Sequence, residues 1–322
     1  MKKYIGIDIG GTKCAVVLGD AEGRILKKVR FPTQTDRGAQ QAIDRILQAV
    51  AAMHPAQAAA IGVSCGGPLD SVQGTILSPP NLPGWDHIEI KRILEERFGR
   101  PAYVQNDANA CTVAEWKFGA ARGKRNVIFL TCGTGMGAGL ILDGRLYEGR
   151  DGAAGEIGHV RMSELGPAGF GKPGSFEGLC SGSGIRQLGQ TFALAALQQG
   201  ERPAYCPDKG ELMQVTAASI AQAAEAGDAT AQQVYQTVGA YLGRGIAILI
   251  DVLNPDIIVL GSIFGRSEEL LRRSMEESIR REAIGASICP VVPAALGEHI
   301  GDYGALCTGM RNGYVGRTGT FD

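Results

Sequence analysis

The feature that most constrains this 322-residue chain is a strand, glycine turn and strand pattern that occurs twice. The first copy is Tyr4-Ile5-Gly6-Ile7-Asp8-Ile9-Gly10-Gly11-Thr12-Lys13-Cys14-Ala15-Val16-Val17-Leu18. The second is Val127-Ile128-Phe129-Leu130-Thr131-Cys132-Gly133-Thr134-Gly135-Met136-Gly137-Ala138-Gly139-Leu140-Ile141-Leu142. Each joins two apolar runs through a tight Gly-rich turn and so reads as two antiparallel strands. The sequels also match, Glu22-Gly23-Arg24-Ile25 after the first and Asp143-Gly144-Arg145-Leu146 after the second. Adjacent glycines let backbone N–H groups approach an anion, and Thr12 and Lys13 add a hydroxyl and a cation. An ordinary Gly-rich hairpin accounts for either copy alone. Recurrence at long separation favours two similar α/β lobes facing each other across a cleft and gripping a nucleoside triphosphate from both sides. Neither copy is a Walker sequence or a dinucleotide fingerprint.

The length is sufficient for two domains with cores of their own. With 32 basic and 33 acidic side chains the net charge is -1, which implies no polyanion partner and no nucleic acid. Arg272-Arg273 and Arg280-Arg281 alternate with Glu268, Glu269, Glu276, Glu277 and Glu282, as on a solvated helix face with close ion pairs. Asp8 and the glycines interrupt the N-terminal apolar run that a signal peptide needs, and no later segment has ~20 uninterrupted apolar residues, so no membrane association is expected. The eight cysteines are scattered without a Cys-x-x-Cys pair, as expected for reduced thiols of a cytoplasmic protein.

Apolar spacing predicts a third strand over 24–31, a helix over 38–53, a strand over 58–64 ending at Cys65-Gly66-Gly67-Pro68, and a helix through Ile90, Ile93, Leu94 and Phe98. Residues 78–85 are a Pro-rich loop. A strand over 102–105 runs into Asn106-Asp107, which places Asp107 where a strand ends and a helix begins, the position at which open α/β sheets present ligand groups. A plain helix cap is the competing reading of Asp107. Glu156 and His159 share a face if their turn is helical. A Gly-rich loop is expected over 166–184. Thr216 and Asp228 cap helices of about 216–226 and 228–253. A strand over 256–260 closes at Gly261-Ser262, a charged helix and a strand near 288–292 follow, and a final helix starts near Tyr303, with Gly304, Ala305 and Gly309 permitting close packing.

In this order the pieces resemble the ROK family of bacterial sugar kinases and repressors: Asp8-Ile9-Gly10-Gly11-Thr12-Lys13, Gly66-Gly67-Pro68, Pro80-Asn81-Leu82-Pro83-Gly84-Trp85, Asn106-Asp107, Gly133-Thr134-Gly135-Met136-Gly137, Gly155-Glu156-Ile157-Gly158-His159 and the strand ending at Gly261. The resemblance covers nearly the whole chain and implies an α/β protein of duplicated actin/hexokinase-like (ribonuclease H-like) ATPase fold. It implies a smaller lobe over 1–118, a larger lobe over 119–302, and a helix of about 303–322 packing back onto the first. By similarity Asp107 is the general base for a sugar hydroxyl, most simply the 6-OH of glucose, and ATP donates its γ-phosphoryl group. Asp8 looks like the acid that organises Mg²⁺, through water. Gly10, Gly11, Thr12 and Lys13 are implied to face the transferring phosphates, as are Gly133, Thr134 and Gly135, and the strand end at Gly261 to lie by the nucleotide. Asn106, Glu156, His159 and Glu177 correspond to the family's sugar-hydroxyl partners. Gly66 adds a backbone contact, and Asn81 and Trp85 lie in a loop near the sugar, although Trp85 fits a core position equally.

The zinc members of the family carry Cys-x-Cys-Gly-x-x-Gly-Cys-x-Glu after the histidine. Here that stretch is Ala168-Gly169-Phe170-Gly171-Lys172-Pro173-Gly174-Ser175-Phe176-Glu177, so no structural zinc is expected. Phe170, Pro173 and Phe176 are expected to pack the loop instead and leave His159 free for sugar. Ser262 stands where the family usually has a second glycine. N-acetylmannosamine, N-acetylglucosamine, fructose and β-glucosides remain open as substrates beside glucose, and a catalytically silent sugar sensor is the reading of a different class. Because the first strand begins at residue 3, the helix-turn-helix of the repressors is not expected. The resemblance implies a homodimer or homotetramer.

Overall fold

The computed structural model describes residues 2–311. In chain order its strands and α-helices are β1 (Lys3–Ile9), β2 (Lys13–Asp20), β3 (Ile25–Pro32), α1 (Ala39–Ala51), β4 (Ala58–Cys65), β5 (Leu69–Asp70), β6 (Thr75–Ile76), α2 (Ile90–Phe98), β7 (Ala102–Asn106), α3 (Asp107–Phe118), β8 (Val127–Cys132), β9 (Met136–Leu142) and β10 (Arg145–Tyr147). There follow β11 (Ala168–Gly169), β12 (Lys172–Pro173), α4 (Phe176–Cys180), α5 (Gly182–Gln198), α6 (Ala217–Glu225), α7 (Ala229–Leu253), β13 (Ile257–Leu260), α8 (Ile263–Glu282), β14 (Val291–Pro293) and α9 (Ile300–Met310). The final helix thus starts earlier than its glycines suggest, and the part of it expected over 312–322 lies outside the described residues. The described chain forms two compact units, one comprising the chain up to Phe129, Gly139–Ala154 and the chain from Ala295, the other Leu130–Ala138 and Gly155–Ala294.

Unit 1 is built on a sheet of order β3-β2-β1-β4-β7. The first glycine turn joins β1 and β2 as an antiparallel pair, β3 continues antiparallel, and β4 and β7 run parallel to β1. Ala39, Ala42, Ile43, Ile46, Ala49 and Val50 recur at helical spacing, and α1 buries all six. They join Ile5, Ile7, Ile61 and Val63 from the sheet and Trp85 from the Pro-rich loop in one core. Trp85 is fully buried, its indole N–H without a partner, so it is a core residue.

Close backbone packing sets α9 against this sheet. A Cβ built on Gly62 would stand 2.1 Å from the Ala305 carbonyl and 2.2 Å from the Gly309 nitrogen, and one on Gly6 2.8 Å from the Leu306 nitrogen. On α9 itself Gly304 faces the backbone of α3 at Ala110. Glu115 of α3 is fully buried, and its carboxylate is satisfied by the backbone N–H groups of Ala120, Ala295 and Leu296 at 2.7, 3.2 and 2.8 Å.

The second sheet has the order β10-β9-β8-β13-β14, with β9 and β10 antiparallel and β13 and β14 parallel. In unit 2 the long helix α7 buries Val234, Tyr235, Val238, Leu242, Ile246 and Ile250. Its length and composition would suffice to cross a membrane, but half of its most apolar stretch is buried within the protein and Arg244 and Asp251 interrupt it. Gly239 and Gly243 of α7 lie against Ser274 and the Met275 carbonyl of α8. The outer face of α8 carries the expected ion pairs: Arg272 with Glu268 and with Glu276 at 3.0 Å, Arg273 with Glu277 at 3.0 Å, and Arg280 with Glu276 at 3.5 Å. Thr216 and Asp228 cap α6 and α7 as the sequence predicts. All eight cysteines are free thiols and six are buried.

Gly62→Ala is expected to lower thermal stability by about 1–3 kcal/mol, because the intruding methyl meets backbone that cannot rotate away. Gly265→Ala, on the exposed side of α8 with nothing within 4 Å of the new methyl, is expected to be neutral or stabilising by up to ~1 kcal/mol. Thermal melts of the two variants check the contrast, and equal melting temperatures would contradict the packing argument.

Candidate active site

Strand register brings the unit 1 residues together. Ile9 pairs with Cys65 across β1 and β4, and Cys65 with Asn106 across β4 and β7. The next residues in the three strands are Gly10, Gly66 and Asp107, so three segments far apart in sequence emerge along one sheet edge. Contacts follow: a Cβ on Gly66 would lie 3.5 Å from the Asn81 amide and 3.8 Å from an Asp107 carboxylate oxygen, and one on Gly67 3.4 Å from Asn106 Nδ2. A Cβ on Gly11 would stand 2.4 Å from the Asn81 carbonyl oxygen, so only glycine fits there. Thr12 and Lys13 are exposed at the tip, and the turn is closed by Gly10 N–H donating to the Lys13 carbonyl at 3.1 Å.

Asp107 is the first residue of α3, while the cap itself is Asn106, whose Oδ1 accepts from the N–H groups of Ala108 and Asn109 at 2.9 and 3.3 Å. Capping is therefore Asn106's task, and the Asp107 side chain is exposed, with one oxygen accepting from Ala108 N–H at 2.8 Å. Desolvation by the surrounding protein raises the Asp107 carboxyl above the usual range, opposed by the hydrogen bond from Ala108.

Asp8 is pushed further, to about 7. Desolvation is the main cause, followed by the negative charges of Asp107 and Asp302, with Lys13 and Lys28 opposing. Asp302 is buried on α9, paired with Lys28 of β3 and 3.4 Å from His299 Nδ1. The backbone at Gly301 leaves the space that the Asp8 carboxylate occupies, since a Cβ there would lie 2.5 Å from it. Lys28 and Asp302 carry no sequence signal, because they are 274 positions apart.

In unit 2 the second turn holds Gly133, Thr134 and Gly135. Gly133's carbonyl accepts from Gly182 N–H at 2.9 Å and Thr134's from the Ser183 hydroxyl at 2.7 Å. Gly261 closes β13, its N–H donating to the Leu130 carbonyl at 2.9 Å. Ser262 has φ 52°, a conformation glycine favours, and its hydroxyl lies 3.8 Å from a Cβ built on Gly133. Glu156 and His159 flank a single 3₁₀ turn, 3.8 Å apart, so the expected shared face is present. Glu177, expected as a sugar partner, has one carboxylate oxygen engaged by Met136 N–H at 2.9 Å.

The loop before Glu177 departs from expectation. Phe176 is fully buried, but Phe170 is 68% exposed and Pro173 is exposed too, so neither packs the loop. Polar and backbone contacts hold it: Lys172 Nζ donates to the His159 carbonyl at 2.7 Å, Arg161 to the Pro173 carbonyl at 2.9 Å, and Phe176 N–H to the Val160 carbonyl at 2.8 Å. Phe170 instead sets its ring edge-on to His159 at 5.3 Å. With no cysteine in the stretch and, among the described residues, no cluster of three or more His, Cys, Asp or Glu side chains suited to a metal, the donors do not fit zinc. A cavity of about 440 Å³ between α7 and α8, lined by Gln232, Tyr235, Glu269 and Arg273 among others, contains none of these site residues.

Folded Asp8 holds its proton to about pH 7, whereas the unfolded chain releases it near 3.8, so the folded state loses stability as pH rises across that interval. Asp8→Asn removes the titration. Its melting temperature relative to the parent is expected to climb from pH 4 to pH 7, whereas a pH-independent difference would refute the raised carboxyl.

Comparison with known proteins identifies the family. The family model described as "ROK family" matches residues 4–309. The glucokinase of Thermotoga maritima is 32% identical over 280 residues, covering 86% of this chain and 87% of its own. A crystal structure of a ROK family glucokinase from Streptomyces griseus in complex with glucose and AMPPNP superposes with a TM-score of 0.79 at 32% identity, covering 96% of this chain and 99% of that one. A DNA-binding transcriptional dual regulator of Escherichia coli is 30% identical over 324 residues, covering 97% of this chain and 77% of its own. A match that spans nearly the whole chain makes it a member of the ROK family with the actin/hexokinase-like fold.

Proposed function

We propose that the protein is an ATP-dependent sugar kinase that phosphorylates a hexose hydroxyl, with the 6-OH of glucose as the first choice. The observation that carries the reading is the open carboxylate of Asp107 at the head of α3, beside Asn106, Asn81 and Gly66 and within the field of Asp8. A carboxylate so placed accepts the proton of a bound alcohol as that oxygen attacks the γ-phosphorus, and general-base help of this kind is worth roughly 10² to 10⁴ in rate. Asn106 and Asn81 supply amides, and Gly66 backbone, to orient the sugar. In unit 2, Glu156, His159 and the free oxygen of Glu177 are assigned to other hydroxyls.

The Gly10 to Lys13 turn, with its exposed lysine, and the Gly133 to Gly135 turn are assigned to the phosphates, and the Gly261-Ser262 strand end to the nucleoside. Catalysis then consists mainly of placement and charge cancellation. Asp8 fits Mg²⁺: a carboxylate whose ionisation burial and two neighbouring acids oppose is one that a cation favours. When bound, Mg²⁺ neutralises charge on the phosphates and shapes them for in-line transfer. The glucokinase relatives favour glucose, but single-substituent differences are typically worth only ~1–3 kcal/mol in an apolar pocket. N-acetylmannosamine, N-acetylglucosamine and fructose therefore belong in the panel.

The regulator relative favours a second reading, a sugar-binding protein without turnover. A coupled ADP-release assay over the sugar panel separates the two, since turnover with any hexose excludes the silent sensor. Asp107→Asn is expected to bind sugar with near-parent affinity and to lose at least about 10²-fold in kcat; parent-level turnover would refute the assignment. Elemental analysis of purified protein is expected to find no stoichiometric zinc, and a full equivalent would overturn the account of the loop.

A further inference from the structure

Gln105, buried immediately before Asn106, sits at the centre of a small polar network that the sugar-kinase reading does not use. Its Oε1 accepts from the Asn106 backbone N–H at 2.7 Å and from Asn109 Nδ2 at 3.3 Å. Its Nε2 donates to Glu148 Oε1 at 3.0 Å, an oxygen that also faces the Ser71 hydroxyl at 3.4 Å. Glu148 directly follows β10, and its carbonyl accepts from Ala154 N–H at 3.2 Å, so the acid is anchored by its own loop.

The chemistry of an amide gives this arrangement a purpose. Turned by half a rotation, Gln105 would point its NH₂ at the Asn106 backbone N–H, a fixed donor, setting donor against donor. An ionised carboxylate accepts only, so Glu148 fixes which end of Gln105 faces it and thereby which end faces Asn106 and Asn109. Those two residues bracket Asp107, and the Asn106 cap holds the first turn of α3. We propose that Glu148 is a positioning residue for phosphoryl transfer, acting through the orientation of Gln105 to hold Asn106 and Asp107 in register with the substrate.

The proposal rests on the assignment of Asp107 as base, and the test keeps the two apart. Glu148→Ala is expected to lower kcat about 10- to 100-fold, the scale of a small misplacement of reacting groups, with KM for sugar within about threefold of the parent. Gln105→Glu sets two carboxylates against each other and should slow turnover similarly. Adding Glu148→Gln restores a donor facing an acceptor with the roles exchanged, and the double variant should recover most of the kcat lost by Gln105→Glu. Recovery in the double variant is not expected of a residue that merely stabilises the fold, and melting temperatures measured alongside show whether folding changed. Parent-level kcat in Glu148→Ala, or a double variant as slow as Gln105→Glu alone, overturns the positioning role. Should Asp107→Asn remain inactive in that case, the base assignment stands without it; turnover by Asp107→Asn removes the base on which both rest.

Discussion

Crowding of like charge is the constraint on which unit 1 depends. Asp8 near the end of β1, Asp107 at the head of α3 and Asp302 on α9 come from three parts of the chain, and the charges of the last two oppose ionisation of Asp8. Lys28, paired with Asp302, and Lys13 at the turn offset them at Asp8. Packing supplies the rest: Gly62, Gly6 and Gly309 let α9 approach the sheet backbone to backbone, which brings Asp302 up beneath Asp8. A fold stabilised by dispersion and burial elsewhere can sustain such a cluster, and clusters of this kind are common where a site must meet cations or move protons. The same acids that oppose ionisation of Asp8 leave it prepared to gain from a cation.

Much of unit 1 is legible in the sequence because its site sits on strand ends. Apolar runs of period two, broken by Gly-Gly, Gly-Gly-Pro and Asn-Asp, locate Asp8, Gly66 and Asp107 individually. Parallel register then joins them, with Ile9, Cys65 and Asn106 in one row. The row itself cannot be read from sequence, since it depends on crossovers that only packing decides. The cap reading of Asp107 shows the same limit: local chemistry suits both Asn106 and Asp107, and the structure gives the cap to Asn106 and leaves Asp107 open.

Glycine misleads in unit 2. The stretch 166–184 reads as a loop, yet α4 occupies Phe176–Cys180 and α5 begins at Gly182. Its glycines serve contact rather than flexibility: a Cβ on Gly184 would stand 2.0 Å from the Gly178 carbonyl, and on Gly189 2.2 Å from the Ile220 side chain. Propensity disfavours glycine in helices by ~1 kcal/mol each, and close packing of neighbouring backbone overrides it here. Ser262 shows the opposite: a left-handed backbone position, suited to glycine, is filled by a residue with a side chain. Lys28, Glu115 and Glu148 are invisible to sequence reading for a simpler reason, since each acts on groups tens to hundreds of positions away.

The loop that carries cysteines in zinc members shows how a chain replaces one strong constraint by several weak ones. Three thiolates on a metal fix a loop through bonds that no single hydrogen bond matches. Here the two-residue hairpin of β11 and β12, the donors of Lys172 and Arg161 and the backbone bond from Phe176 to Val160 divide that work, with Phe176 alone buried as a hydrophobic anchor. Each such bond contributes about 1 kcal/mol net. The anchor precedes Glu177, whose carboxylate reaches Met136 beside the second glycine turn. The loop is thereby joined to that turn through one buried phenyl ring and one acidic side chain.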